Sequence, residues 1–363
     1  MSQNSIEFLV CPLFFLLSYL FCWGMIYLNV SRPPTDRCSH KNPIPIGGGL
    51  SFTLLFIGYI IFSLSYHSEN WIDTRISPLT YSFIPAVILL VGVSFYDDCK
   101  PLSYRIRLAV QAVCALLLVF GGGIIESPVI QIESQSVLFF QKTLTIFTLI
   151  ALVNATNFID GLNGLLSINV VLSLFFTTYF LGAIDFHVPF VLIFSILGFV
   201  IHNFPKARLF MGDTGSTFIG FTLGFFALSA QKGYIDINAT NAVNTAIFNK
   251  GFVFTLMPLC FLWFDVLSTL VRRFANGCRL TEAHREHMIH ILFDKGYGHV
   301  FVTLLYACGT LLMCVLTYFC HTGSISFIQL LGIYATLQTL FVIFVFKAPI
   351  KRLRARSSYE MVG

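Results

Sequence analysis

Residues 207–230 read "ARLFMGDTGSTFIGFTLGFFALSA", an aspartate in a glycine-flanked turn that runs straight into an apolar stretch. A long apolar run without charge is the pattern of a spanning helix, and a carboxylate at its mouth is a polar group set at the edge of a bilayer. The rest of the chain repeats that theme. With 56% hydrophobic residues, 40 Phe and only 11% charged residues in 363 positions, it is too apolar for a soluble domain with a charged surface. A spanning helix needs roughly 20 mostly apolar residues, and about eleven windows qualify: 8–30, 46–65, 79–96, 108–125, 138–156, 164–182, 186–204, 214–230, 251–271, 299–320 and 325–346. The expected fold is therefore all-α, a polytopic integral membrane protein, with 1–363 forming one membrane domain because no repeat, low-complexity stretch or linker divides it.

The basic residues orient the bundle. If loops alternate sides, one set (31–45, 97–107, 157–163, 205–213, 272–298 and the tail from 347) holds all but four of the 22 Lys and Arg. By the positive-inside rule that set is cytoplasmic, with the N-terminus outside and the C-terminus inside. The first apolar run reads as a retained span, since no small-residue cleavage site follows it. The tail "KAPIKRLRARSS" is suited to anionic headgroups. The ten cysteines show no CxxC pair and no zinc spacing, so they read as packing residues.

The same inner loops hold the polar residues. In "SRPPTDRCSHKNPIPIGGGL", prolines and a triple glycine shape an irregular backbone around Arg37, His40 and Lys41, and glycine N–H groups can approach a phosphate closely. In "SFYDDCKPLSYRIRLAVQ", adjacent Asp97 and Asp98 repel each other unless they are solvated or neutralised by a cation such as Mg²⁺ or by Lys100, Arg105 and Arg107. In "NATNFIDGLNGLLSI", Asn154, Asn157, Asp160 and Asn163 recur every third position, near one helical face, while Gly161 and Gly164 point to a broken helix lining a polar cavity. Asp213 falls on the same side as Asp97, Asp98 and Asp160. Hard oxygen ligands from several loops are what Mg²⁺ prefers. The loop "VRRFANGCRLTEAHREHMIHILFDKGYG" gathers His284, Arg285, His287 and His290; nothing completes a tetrahedral zinc set, and His beside Arg suits a pyrophosphate. Asp265, two helical turns before Arg272, is expected to share a face with the basic pair and to be neutralised there.

Taken in order, "DRCSHKNPIPIGGG", "YDDCKP", "NFIDGLNGL", "NFPKARLFMGDTGS" and "EAHREH" resemble the motif series of the polyprenyl-phosphate N-acetylhexosamine-1-phosphate transferases, over residues 32–298. Within that superfamily the chain is most similar to the bacterial enzymes that start O-antigen and related surface glycans; the histidine run of the peptidoglycan translocase is missing. The resemblance implies a reaction in which a UDP-N-acetylhexosamine gives its sugar-1-phosphate to undecaprenyl phosphate, yielding a lipid-linked pyrophosphate and UMP at the bacterial cytoplasmic membrane. It implies Asp97 and Asp98 as the catalytic pair and Asp213 as the ligand of Mg²⁺, with Mn²⁺ the alternative ion. It implies Arg37, His40, Asn157, Asp160, Asn203, His284, Arg285 and His287 as substrate-binding residues. The implied partners are undecaprenyl phosphate, the UDP-sugar and membrane lipids, with no nucleic acid and with a homodimer left open.

The chain departs from the family pattern at three positions. Arg32 stands where an acidic residue commonly precedes the proline, Ile46 where an arginine often precedes the glycines, and Asn163 where the second aspartate of DGxDG falls. Two rival readings are a peptidoglycan translocase acting on UDP-MurNAc-pentapeptide and, in a different class, a proton-coupled transporter. The transporter reading places its carboxylates near the bilayer midplane on broken helices, whereas here they gather at one face.

Overall fold

A computed structural model describes residues 3–28, 44–66, 77–126, 135–180, 187–237, 250–279 and 285–350. In chain order the helices are α1 (Gln3–Leu28), α2 (Gly48–Tyr66), α3 (Ser77–Cys99), α4 (Tyr104–Phe120), α5 (Gln135–Ile159), α6 (Leu165–Tyr179), α7 (His187–Asn203), α8 (Gly212–Ile237), α9 (Lys250–Leu256), α10 (Cys260–Ala275), α11 (Met288–Asp294), α12 (His299–His321) and α13 (Phe327–Lys347). Each apolar window overlaps helix among the described residues. Among the described residues, seven helical segments are long and apolar enough to cross a membrane. The protein is thus all-α and multi-pass, as expected. One window is not a single rod: over 250–275 the helix is interrupted by a 3-10 turn at Met257–Leu259, where Pro258 lacks the N–H needed to continue the α ladder. The sequence reading also missed α11, which lies inside the basic loop.

The bundle is built around α8. Every side chain from Thr214 to Gln231 is buried, and α8 packs against α2, α3, α5 and α9. Its phenylalanines interlock with those of α2 and α3: the Phe83 and Phe225 rings stack at 4.2 Å, and Phe56 meets Phe218 edge-on at 5.7 Å. Phe120, Phe139 and Ile328 instead turn outward, the arrangement expected where lipid is the solvent. At one end α2 and α8 meet backbone to backbone. Gly49 lies on Gly215 with no room for a Cβ between them, the small-residue contact that lets membrane helices approach closely.

This contact corrects one expectation about the triple glycine. The N–H groups of Gly47 and Gly48 donate to Phe210 O at 3.2 and 2.8 Å, and that of Gly49 donates to Met211 O at 3.0 Å. They tie the start of α2 to the turn before α8 and are not available to cradle a phosphate. Arg32, Arg37, His40, Lys41, His284 and the basic tail beyond 350 lie outside the described residues.

Candidate active site

Asp97 and Asp98 end α3, Asn157 ends α5, Asp213 sits in the first turn of α8 and Arg107 in the first turn of α4, so four helix termini meet at one end of the bundle. Asp97 is buried; its Oδ1 accepts from the Leu102 N–H, and its Oδ2 lies 3.4 Å from Arg107 Nη1. The same Nη1 is 3.4 Å from Asp213 Oδ2. Asn157 Nδ2 donates to the other Asp213 oxygen at 2.9 Å and lies 3.1 Å from Ser216 Oγ. A guanidinium thus bridges two carboxylates, and an amide fixes the rotamer of the second. Of the three basic residues expected to neutralise the aspartate pair, Arg107 does so, whereas Arg105 lies over the Tyr104 ring.

Asp98 faces another way. Its Oδ1 accepts from the Asp213 N–H at 2.9 Å, and its Oδ2 accepts from the Thr214 N–H at 2.9 Å and the Thr214 hydroxyl at 2.6 Å. It is the N-terminal cap of α8 delivered from α3, satisfying amides that have no intrahelical acceptor. Gly212 makes this possible: its φ is +74°, and a Cβ there would lie 2.6 Å from Asp98 Oδ2. The two neighbouring aspartates therefore divide, one lining the cleft and one holding the helix that carries Asp213.

The cleft has a volume of about 360 Å³ counting its open mouth, and its lining includes Asp97, Arg107, Asn154, Asn157 and Asp213. Asn154 lies one turn deeper than Asn157 and pairs with Gln111, its Nδ2 donating to Gln111 Oε1 at 2.6 Å. Sequence reasoning missed Gln111, although it falls four residues after Arg107 and hence on the same face of α4. Asp160 follows the end of α5. No described residue donates to it, and burial together with the charges of Asp213 and Asp98 raises its carboxyl well above the usual carboxylate range.

The three-residue spacing does not bring all four polar residues of that loop together, because the helix stops at Ile159 and resumes at Leu165. Asn163 is buried, with its amide donating to Pro205 O at 3.3 Å and its carbonyl accepting from the Thr303 hydroxyl at 2.9 Å. It fastens the loop to α12, so the departure from aspartate falls on a structural tie. Asn203, expected among the substrate ligands, is also buried; it accepts from the Gly164 N–H at 2.6 Å and donates to Leu209 O at 2.9 Å. Its amide joins the loop before α6 to the turn before α8.

The basic loop closes one side. His290 packs so tightly on Gly161 that a Cβ there would lie 2.8 Å from the imidazole Cε1. The His287 ring lies 6.3 Å from that of Phe158. Burial, with Arg285 and His287 beside it, pulls His290 down to about 4, so it is neutral at physiological pH. Arg285 contacts Asp294 at 3.3 Å. The expectation that Asp265 is neutralised by the Arg272–Arg273 pair is overturned. Arg273 pairs with Glu286 and Arg272 donates to Glu286 O, whereas Asp265 turns inward to α11 and Tyr306.

A divalent cation that favours hard oxygens suits this end of the bundle. Mg²⁺ is commonly held by one or two carboxylates plus waters and substrate phosphates, and Asp213 with Asp160 nearby offers such donors. Among the described residues no group of three or more His, Cys, Asp or Glu is placed to hold a metal ion by itself.

Fold and cleft together define a multi-pass membrane protein with paired carboxylates, amides and a bridging guanidinium gathered at one end of its helices. The model of glycosyl transferase family 4 matches residues 80–231, which contain all of these groups. The chain is 28% identical over 301 residues to the decaprenyl-phosphate N-acetylglucosaminephosphotransferase of Mycobacterium tuberculosis, covering 75% of this chain and 71% of the relative. It is 26% identical over 337 residues to the probable undecaprenyl-phosphate N-acetylglucosaminyl 1-phosphate transferase of Bacillus subtilis, covering 88% and 83%. It is 26% identical over 287 residues to the undecaprenyl-phosphate alpha-N-acetylglucosaminyl 1-phosphate transferase of Escherichia coli O157:H7, covering 73% and 69%. The chain is thus similar, over about three quarters of its length or more, to curated polyprenyl-phosphate N-acetylglucosamine-1-phosphate transferases.

Proposed function

We propose that this protein transfers N-acetylglucosamine-1-phosphate from UDP-N-acetylglucosamine to undecaprenyl phosphate, releasing UMP, as the first step of a surface glycan such as O-antigen. The observation that carries this reading is the bridged pair Asp97–Arg107–Asp213 at the open end of a membrane bundle, where a lipid-borne phosphate and a soluble nucleotide can meet. The site lies on the cytoplasmic side of the bacterial inner membrane, with the N-terminus outside; the distribution of Lys and Arg supports that orientation.

In the reaction an oxygen of the lipid phosphate forms a bond to the sugar-bearing phosphorus of the donor, and the bond from that phosphorus to the UMP oxygen breaks. Phosphoryl transfer of this kind depends on positioning and charge neutralisation. Asp97 borders the cleft and takes the proton of the acceptor phosphate, or itself attacks to form a covalent phospho-enzyme. Asp98 holds α8 so that Asp213 faces the cleft, and Asn157 fixes the Asp213 rotamer. Arg285 and His287, together with Arg37, His40 and His284, receive the donor's pyrophosphate and sugar. Mg²⁺, or Mn²⁺ in its place, held by Asp213 with Asp160, would neutralise charge on the pyrophosphate.

The test is an assay of purified protein with undecaprenyl phosphate, Mg²⁺ and a panel of UDP-sugars. UDP-N-acetylglucosamine should yield UMP and a lipid-linked pyrophosphate. Turnover of UDP-MurNAc-pentapeptide alone would instead make the protein a peptidoglycan translocase, and no turnover of any donor would remove the transferase reading. Stoichiometric UMP release without acceptor lipid would select the covalent route.

A further inference from the structure

The proposed chemistry leaves one fully buried carboxylate unused. Asp265, in the middle of α10, accepts from the Met288 N–H at 2.8 Å, the Ile289 N–H at 3.1 Å and the Tyr306 hydroxyl at 2.6 Å, with the Thr269 hydroxyl at 3.4 Å. His287 Nδ1 lies 3.3 Å from its Oδ1. These partners come from α10, α11, α12 and the basic loop. Helix α11 has only seven residues, too few to be stable alone, and His287, at its N-cap position, makes no side-chain capping bond. Asp265 is therefore the cap of α11, supplied from 23 residues away in sequence. It sets both the start of that helix and the rotation of the residues on it. His287 lies against the carboxylate on its Nδ1 side, which leaves Nε2 as the ring nitrogen directed elsewhere, and His290 one turn on is wedged against Gly161.

We propose that Asp265 is a positioning residue for the sugar-nucleotide site, acting through α11 to orient His287 and seat His290 on the Asp160–Gly161 loop. This rests on the transferase reading above, in which the basic loop receives the donor. The isosteric Asp265→Asn keeps one acceptor oxygen but turns an NH₂ toward groups that themselves donate, so α11 loses its defined start. It should raise the KM for the UDP-sugar about tenfold or more while changing kcat less and leaving the KM for the lipid phosphate within about twofold. Because part of the effect passes through His287, adding Asp265→Asn to His287→Asn should raise that KM by clearly less than Asp265→Asn raises it in the parent, the non-additivity expected of residues acting as one unit. Tyr306→Phe removes one donor to Asp265 but leaves both amide contacts, and should raise the same KM by about threefold with the melting temperature retained. It decides the matter if Asp265→Asn does not fold. A donor KM unchanged in Tyr306→Phe, equal rises in both substrates' KM in Asp265→Asn, or multiplicative effects in the double variant would overturn the proposal. An inactive parent protein would fail the transferase reading instead, whereas an active parent with an unaffected Asp265→Asn would fail only this inference.

Discussion

At the scale of single residues, the adjacent aspartates are chemically alike and structurally opposite. Asp97 borders the cleft, and Asp98 spends both oxygens on the first amides and hydroxyl of α8. Asp97→Asn is expected to lower kcat at least about a thousandfold with the donor KM nearly kept, because it removes a group that acts in the transition state. Asp98→Asn is expected to cost stability, about 1–2 kcal/mol for a lost cap, and, by loosening the helix start that carries Asp213, to raise the Mg²⁺ concentration needed for half-maximal rate. Steady-state kinetics over an Mg²⁺ titration, with a melting curve for each variant, separate the two roles. Asp160 gives a pH signature. Burial, with the charges of Asp213 and Asp98 beside it, holds its folded-state pKa well above the ordinary carboxylate range, so the native state keeps a proton that the unfolded chain has already released. Its contribution to stability therefore falls as pH rises from the ordinary carboxylate range toward the raised value. Ligand-free Asp160→Asn should melt above the parent at about pH 8 and converge with it near about pH 4. A parent-like melting temperature at both values would show that no such strain exists.

At the scale of elements, the site is a meeting of helix ends. The termini of α3, α4, α5 and α8 supply its groups, and α11 closes it through the contact of His290 with Gly161. Gly161→Ala places a Cβ 2.8 Å from His290 Cε1 and 3.0 Å from Nε2. Because the imidazole is buried, α11 must move as a piece, and donor affinity should fall about tenfold or more. Binding of UDP measured by calorimetry reads this directly; an unchanged affinity would mean that α11 has no part in holding the nucleotide. The element missed from sequence is instructive. Residues 288–294 carry too short an apolar pattern to announce a helix, and α11 exists because a carboxylate from α10 caps it.

At the scale of the whole molecule, the C-terminal end of α13 is fastened to the active-site face. Lys295, just after α11, donates to Val345 O, Phe346 O and Ala348 O at 2.8, 2.8 and 3.1 Å, satisfying carbonyls that the helix itself leaves open. The basic loop and the end of the last helix thus share one side. Cys99 and Cys278 are exposed and flank the same face, so they report orientation. In single-cysteine versions an impermeant maleimide should label both in inside-out vesicles and neither in intact spheroplasts, since a thiol reacts only where the reagent can reach it. UDP-sugar with Mg²⁺ should slow labelling of Cys99, which follows Asp98. Labelling of Cys99 from the outer face would reverse the proposed topology.

The sequence alone determined that the chain is a helical membrane protein, where its long apolar segments fall, and that its carboxylates gather at one end. Those properties depend on composition and spacing along the chain, and in a bilayer the backbone must satisfy its own hydrogen bonds within each span. The motif series also carried the family resemblance, because residue type and order survive without coordinates. What each polar residue does was decided only by the tertiary structure. Asp97 and Asp98 differ by one position, yet the end of α3 sends one toward Arg107 and the other to the amides of α8. The triple glycine looked like a phosphate cradle and proved to be a seam between α2 and α8, since its N–H groups find carbonyls of Phe210 and Met211. Asp265 sits two turns from a basic pair but is held by groups from α11 and α12. Direction and partner depend on which helix ends meet, and that is settled by packing around α8, a long-range fact that no local pattern contains.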